Sequence, residues 1–120
     1  MNGDNSLGWS YDYECDALFI HLIQKYEYEQ SIEMTCDVIM DFDILLNPSA
    51  FEFLNASKLF KSNNGDLCEI KKINVHVSIN EDLIKLHVNI FTPNNKFDVI
   101  KKSINDLDAP NCEKYMVSMS

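Results

Sequence analysis

The strongest constraint on the fold is the alternation of apolar and polar residues between positions 73 and 90. Two aliphatic runs alternate with single polar residues, and their members are Ile73, Val75, Val77 and Ile79, then Ile84, Leu86, Val88 and Ile90. Period-two alternation predicts two strands that each bury one face. A turn at Glu81 and Asp82 places Ile79 opposite Ile84 and Val77 opposite Leu86, so every apolar side chain falls on one side. A two-stranded hairpin is marginal alone, so this apolar face must cover a second layer.

Composition restricts the class of protein and the class of partner. The chain has 120 residues, 46% of them hydrophobic, which suits one folded domain with a real core. Its net charge is −9 and it contains no arginine. Arginine is favoured for phosphate and guanine contacts, and a negative protein repels phosphates, so we expect no nucleic-acid partner. A homodimer or a basic protein partner remains open.

The cysteines and the N-terminus indicate a cytoplasmic protein. Cys15, Cys36, Cys68 and Cys112 are widely spaced without a C-x-x-C pair, and the first ten residues lack the apolar segment of a secretory signal. We therefore expect buried free thiols in a reducing compartment. No apolar run approaches the ~20 residues of a membrane span, so no membrane partner is expected. With only three glycines the chain has no phosphate-binding loop, and no cofactor is expected.

The first half predicts an antiparallel β-meander that ends in one short helix. Strands are expected at residues 9–13, 17–23, 26–34, 38–43 and 50–54, with one long strand over 32–41 as an alternative. The 26–34 strand alternates poorly, which is typical of a sheet edge. A turn is expected at 47–49, because Pro48 cannot donate to a ladder. Asn55 or Ser57 is the expected N-cap of the helix.

Polar segments and segments rich in turn-forming residues predict where the parts of the domain begin and end. Residues 1–8 are polar and are expected to form a disordered N-terminus. Residues 9–61 form the front meander, and the breaker-rich segment 62–68 forms a linker. Residues 69–120 form a back extension that packs with the front as one domain. The fold class is therefore mainly β, with an α+β fold still open.

Residues 97–107 permit two interpretations. Val99, Ile100, Ile104 and Leu107 fit a helical face. Against a helix, the segment 96–105 echoes the segment 25–33, and each follows a strand of similar order. The echo favours a strand and suggests that the two halves are related.

The strand predicted at 17–23 is apolar on both faces. Leu18, Ile20 and Leu22 lie on one side, while Phe19 and Ile23 lie on the other. If only one side meets the core, the other side is an exposed apolar patch, and such patches mark contact surfaces. This pattern predicts a symmetric dimer with Phe19 at the contact, unless the back hairpin covers the same face.

Two sets of residues could carry chemistry. The hairpin register places His76 directly opposite His87, and two facing imidazoles could share a metal ion. Nothing nearby supplies further ligands by spacing, so two separate exposed histidines are the simpler interpretation. Carboxylates flank two turns and could bind a divalent cation or act in acid–base chemistry; they are Asp12, Glu14, Asp16, Asp41 and Asp43. Aspartates in turns more often accept backbone N–H groups.

The front half also resembles a known family. Its pattern is a Tyr-Asp opening, an acidic turn, a strand that ends in Asp-aromatic-Asp and an Ala-Ser close. The residues that carry the pattern are Tyr11, Asp16, Asp41, Asp43, Glu52 and Ser57. In these elements the chain resembles the small prokaryotic domain-of-unknown-function family twenty-two eighty-three. Ala50 stands where that family has a glycine, which puts the turn geometry in question.

The resemblance implies a β-meander closed by a short helix and assigns no catalytic residue. It also implies, by association with neighbouring toxin-like ribonucleases, an antitoxin-like role beside a basic partner. From the residues and the resemblance together we expect a non-enzymatic protein-interaction module. The alternative is a small metal-binding protein, or a metal-dependent or carboxylate-based enzyme.

Overall fold

The computed structural model describes residues 5–119 and consists of two antiparallel sheets. The front sheet contains β1 (Leu7–Asp12), β2 (Ala17–Leu22), β3 (Tyr28–Thr35), β4 (Val38–Asp43) and β5 (Pro48–Phe53). Two helices of one turn follow, α1 (Ala56–Leu59) and α2 (Asn64–Leu67). The back sheet contains β6 (Lys72–Ile79), β7 (Leu83–Phe91), β8 (Lys96–Ile104) and β9 (Cys112–Met119). The predicted mainly β fold is confirmed.

The front sheet is a meander only in part. Its strand order is β1-β2-β5-β4-β3, so β5 lies between β2 and β4. Phe51 of β5 pairs with Ile20 on one side and Met40 on the other. All three side chains are fully buried, which makes β5 the apolar centre of the sheet. β3 is an edge strand, as its poor alternation predicted.

The back sheet has the predicted hairpin at its centre. Its order is β8-β7-β6-β9, and Ile79 pairs with Ile84 while Val77 pairs with Leu86. The ambiguous segment 97–107 forms most of the edge strand β8 and the turn after it, so the strand interpretation is confirmed. β8 pairs with β7, the strand before it, whereas β3 pairs with β4 and not with β2. The pairing therefore differs between the two halves at the strands that echo each other.

The inner sides of both sheets share one apolar core. Its largest fully buried side chains come from both layers and include Phe42, Phe51, Phe53, Ile73 and Leu86. Burying a side chain of this size stabilises the fold by about 1.5–3 kcal/mol. The layers are also joined at one edge, where Ser6 forms a parallel bridge with Val117. The outward sides of the two sheets therefore face away from each other.

Two boundary predictions are wrong. The predicted disordered segment 1–8 extends too far, because Leu7 begins β1 and is only 3% exposed; residues 1–4 lie outside the described range. The predicted linker 62–68 contains α2, whose Leu67 is fully buried. The Asn63 side chain accepts the Asp66 N–H and the Asp66 side chain accepts the Asn63 N–H, so a capping box holds this turn.

The turn before β5 lies earlier than predicted. Pro48 and Ser49 belong to β5, and Leu46 adopts φ 61° in the turn instead. The carboxylate of Asp43 accepts the N–H groups of Leu45 and Asn47, both at 2.9 Å. This side chain shapes the turn, while Ala50, which stands where the family has a glycine, lies inside β5 and does not have a positive φ. Within residues 5–119 no helix is long and apolar enough to cross a membrane.

Candidate functional site

Three motif residues converge at one end of the front sheet. The Tyr11 hydroxyl donates to Asp16 Oδ1 at 2.5 Å, and the Ser57 hydroxyl donates to Asp16 Oδ2 at 2.7 Å. The Ser57 N–H also donates to the same carboxylate at 3.0 Å. We call this cluster of Tyr11, Asp16 and Ser57 the Asp16 clasp. It joins the β1–β2 turn to the start of α1.

Asp16 caps the N-terminus of α1, because the side chain of the N-cap residue does not. The N-cap residue of α1 is Asn55, one of the two predicted, but its side chain caps nothing and donates to Asp37 Oδ1 at 3.2 Å. The Asp16 carboxylate takes the Ser57 N–H instead, and the Asp16 carbonyl accepts the Ala56 N–H at 2.9 Å. A helix this short depends on such partners for its unpaired N–H groups.

The electrostatics of the clasp favour a structural role. Burial and the hydrogen bond to Asp16 raise the pKa of the Tyr11 hydroxyl far above its ordinary value. Burial alone would raise the pKa of Asp16, but the hydrogen bonds from Tyr11 and Ser57 outweigh it and lower that pKa. A carboxylate with a lowered pKa is a weak base, so it is poorly suited to take a proton from Ser57. The contacts therefore support a structural role for the clasp, which holds the β1–β2 turn against α1.

The other motif carboxylates lie apart from the clasp. Asp41 accepts from the Ser31 hydroxyl at 2.6 Å, and Ser31 in turn lies 2.8 Å from the Tyr28 hydroxyl. Asp43 caps the β4–β5 turn, as described above. Glu52 is exposed on the outward side of β5. Asp12 accepts the Glu14 and Cys15 N–H groups at 3.0 and 3.1 Å. Asp12 and Asp43 thus hold backbone in two separate turns, Asp41 holds a side-chain hydroxyl, and these carboxylates do not form one site.

The histidine pair forms as predicted but lacks a ligand set. His76 pairs with His87 across β6 and β7. The Nε2 atom of His76 lies 2.8 Å from Glu113 Oε1, and its ring stacks on Tyr115 with centroids 4.1 Å apart. The Nε2 atom of His87 is buried without a hydrogen-bond partner and lies 4.0 Å from Asp98 Oδ1. Among the described residues no three His, Cys, Asp or Glu side chains form a group that could hold a metal.

A groove runs along the outward side of the back sheet beside these histidines. It has a volume of about 380 Å³ and is lined by the facing pairs Asn74–Asn89 and His76–His87, together with Tyr115 and Val117. We call this outward side the back face. Tyr115 is 67% exposed and Val117 is 38% exposed, so the rim of the groove is partly apolar.

The outward side of the front sheet, called here the front face, carries the predicted patch. Phe19 is 36% exposed and Ile23 is 65% exposed, and Phe19 stacks on His21 with centroids 5.1 Å apart. Leu18 and Ile20 are fully buried against the core on the other side of β2. The back hairpin therefore packs against the Leu18 side, so the alternative in which it covers Phe19 is wrong.

Charge separates sharply between the two sheets. The five strands of the front sheet contain no lysine and six carboxylates, namely Asp12, Glu29, Glu33, Asp41, Asp43 and Glu52. The four strands of the back sheet contain six lysines and two carboxylates, namely Lys72, Lys85, Lys96, Lys101, Lys102 and Lys114, with Asp98 and Glu113. The net charge of −9 therefore conceals one acidic and one basic layer.

Comparisons with known proteins place the chain among uncharacterised relatives. An uncharacterized protein of Methanocaldococcus jannaschii is 32% identical over 95 residues, which cover 78% of this chain and 80% of the relative. The family described as Protein of unknown function (DUF2283) matches residues 9–57. The chain belongs to this family. No solved structure matches it.

The C-terminal end of the segment that matches the DUF2283 family coincides with a structural contact. The matched segment ends at Ser57, where the Asp16 clasp closes the front sheet onto α1. The similarity to the archaeal relative extends further, because 95 aligned residues exceed what residues 1–61 can supply. The aligned segment therefore includes part of the back half of this chain.

Two features were missed by sequence reasoning. The cysteines are free thiols, but Cys15, Cys36 and Cys68 are exposed, so the expectation that they are buried is wrong. Only Cys112 is half-buried, and burial raises the pKa of its thiol. The second feature is the opposite charge of the two sheets. The opposite charge of the sheets becomes visible in the sequence when lysines and carboxylates are counted strand by strand rather than over the whole chain.

Proposed function

We propose that this DUF2283 protein is a non-enzymatic interaction module that binds a basic protein surface through its front face. The observation that carries the proposal is the coincidence of an exposed apolar strip with an acidic, lysine-free sheet. Phe19 and Ile23 supply the strip, while Glu33 and Glu52 are exposed on the same side. Apolar contact supplies binding energy, and the surrounding charge selects a partner of opposite sign.

The geometry supports binding better than catalysis. Asp12, Asp16 and Asp43 each accept backbone N–H groups, which leaves them little freedom to bind a metal ion or transfer protons. Nothing among the described residues brings the motif carboxylates and the histidines together. The enzymatic and metal-binding alternatives therefore rest on no specific contact.

The carboxylates Glu33 and Glu52 beside the apolar strip also bear on the choice between a symmetric dimer and a basic partner. A twofold dimer through Phe19 would place Glu33 and Glu52 of one copy against the same side of the other, and facing like charges cost binding energy. A basic surface removes this cost and is steered towards the front face during encounter. The partner surface in this proposal is therefore basic, which agrees with the antitoxin-like role that the resemblance implies. The exposed free thiols of Cys15, Cys36 and Cys68 suit a reducing, cytoplasmic location.

A native pull-down with matched charge variants tests this function. The front variant carries Glu33→Lys and Glu52→Lys, whereas the control variant carries Glu14→Lys and Glu69→Lys. All four positions are exposed, and Glu14 and Glu69 lie outside the strands. Both variants change the net charge equally.

We expect the wild type and the control to retain a partner with a basic surface in stoichiometric amount, and the front variant to lose it. Equal retention by both variants would show that binding does not use the front face. A wild type that returns only itself, and is monomeric by light scattering, contradicts the proposal.

A further inference from the structure

We infer that the basic surface that fits the front face is the back face of a second copy of this chain, so that copies associate front to back. This inference rests on the proposed binding role of the front face and names its partner. Front-to-back pairing is heterologous, because two different surfaces of the same protein meet.

Charge complementarity is the first argument. The exposed carboxylates Glu33 and Glu52 lie on the front face, and the exposed lysines Lys85 and Lys102 pair with each other on the back face. A second basic pair lies at the other end of that face. There the ammonium groups of Lys72 and Lys96 lie 5.7 and 5.6 Å from the centre of the Phe91 ring. The outward side of the back sheet thus holds four lysines against the two carboxylates Asp98 and Glu113, whereas the strands of the front sheet hold no lysine.

Surface shape is the second argument. The front face has a ridge, in which Phe19 stacks on His21. Gly8 of β1 lies beside this ridge, and a Cβ at this position would lie 3.0 Å from the His21 ring, so the glycine leaves room for the ring to pack against β1. The back face has the groove of about 380 Å³, rimmed by Tyr115 and Val117. The proposed pairing therefore sets an aromatic ridge with neighbouring carboxylates against a groove that has apolar residues at its rim, lysines towards its ends and Glu113 beside His76.

The size and the net charge of the molecule are compatible with this pairing. The broad side of the molecule measures 38 × 33 Å, which leaves room for the ~800 Å² per partner of a standard interface. The net charge of −9 opposes self-association at long range. At about 0.1 M salt the Debye length is about 10 Å, so distant charges are screened while facing side chains still interact.

Sedimentation velocity on purified protein at this salt concentration tests the inference. The front variant (Glu33→Lys and Glu52→Lys) keeps an intact back face. A back variant (Lys85→Glu and Lys102→Glu) keeps an intact front face. All four side chains are exposed, so both variants are expected to fold.

We expect the wild type to associate reversibly, and each variant alone to associate at least about tenfold more weakly. Mixing the two variants restores the original interface, between the front face of the back variant and the back face of the front variant. The two reversed faces are also of opposite charge, so the mixture is expected to associate again, with the two variants alternating. The Glu14→Lys/Glu69→Lys control is expected to associate like the wild type.

A monomeric wild type overturns the inference, and so does a mixture that forms no complex. Association that survives in the back variant also overturns it and points to front-to-front pairing. The outcome for the proposed function can be told apart from the outcome for self-association. If the purified chain is monomeric while a lysate protein binds the wild type and not the front variant, front-face binding stands and the partner is a different protein.

Discussion

Replacing Asp16 by Asn removes the central acceptor of the Asp16 clasp with little other change. Asn tolerates positive φ, so the backbone at this position, with φ 53°, stays unstrained. The amide group has one acceptor oxygen where the carboxylate has two, and its NH₂ group must face either the Tyr11 hydroxyl or a donor of Ser57. The substitution therefore tests the hydrogen bonds rather than the turn.

The expected loss of stability follows from these contacts. A lost helix cap costs about 1 kcal/mol, and a hydrogen bond to a charged group contributes about 1.5–3 kcal/mol. Because the contacts share one side chain and are partly solvated, we expect a total loss of about 2–3 kcal/mol rather than the sum. For a chain of this size that corresponds to a Tm lower by about 10 °C.

The loss should depend on pH with a defined sign. Hydrogen bonds lower the pKa of Asp16 in the folded state below the value near 3.9 of an unfolded aspartate. The wild type therefore keeps the full contribution above the unfolded pKa and loses it as the pH falls through the folded pKa. The difference in unfolding free energy between wild type and Asp16→Asn should be constant near neutral pH and shrink below about pH 4.

Urea unfolding followed by the fluorescence of Trp9, the single tryptophan, measures this difference. Asp106→Asn is the matched control, because Asp106 is exposed after β8, and its effect should stay within about 0.5 kcal/mol. Tyr11→Phe should cost about 1 kcal/mol and act non-additively with Asp16→Asn, since both remove the same hydrogen bond. An Asp16→Asn loss no larger than the control, or one unchanged at pH 3, would refute the clasp.

Three further predictions test the core, a buried loop and the thiols. Val77→Asp buries an unpaired charge and should unfold the protein or nearly so, whereas exposed Lys102→Asp should shift the thermal melt little; equal melts would show that the faces are misassigned. Asn105→Ala should cost about 2 kcal/mol in urea unfolding, because this buried amide binds both the N–H and the C=O of one neighbouring loop residue; a neutral change would contradict this anchor. In native alkylation followed by mass spectrometry, exposed Cys36 should react before half-buried Cys112, whose thiol pKa is raised by burial; the reverse order would contradict the burial assigned to them.

The back hairpin was predictable because local pattern alone determines it. The alternation around Val77 and Leu86 admits one register that buries every aliphatic side chain, and β6 and β7 adopt it. β8 was harder to predict, because Val99 and Ile104 also fit a helical period. Pairing with β7 makes this segment a strand rather than a helix, and such long-range pairing cannot be read from a local sequence pattern.

The strand order and the long-range contacts of the front sheet could not be predicted from the sequence. The strands were found, but the insertion of β5 between β2 and β4 depends on contacts between distant segments, such as Ile20 with Phe51. The clasp also joins residues 41 positions apart, Asp16 and Ser57. The resemblance to the DUF2283 family marked both residues without showing that they touch. Their bond explains why that pattern pairs an acidic turn with an Ala-Ser close.

The separation of charge was present in the sequence but was hidden by the total. The net charge of −9 indicates an acidic protein, although the strands of the back sheet hold six lysines and only two carboxylates. Strand alternation places Lys85 and Lys102 outward, and it places Glu33 and Glu52 outward on the opposite side. The opposite charge of the two outward sides follows only once the two sheets are known to pack against each other.

Zero-length carbodiimide cross-linking tests the front-face binding claim most directly. The reagent joins a carboxylate to a lysine amine only where the two are in contact, and peptide mapping identifies the linked residues. In native complexes we expect Glu33 or Glu52 to be joined to a lysine of another chain, and for a second copy that lysine is Lys85 or Lys102. Intermolecular links that form at Glu14 or Glu69 while Glu33 and Glu52 stay unlinked would contradict the account.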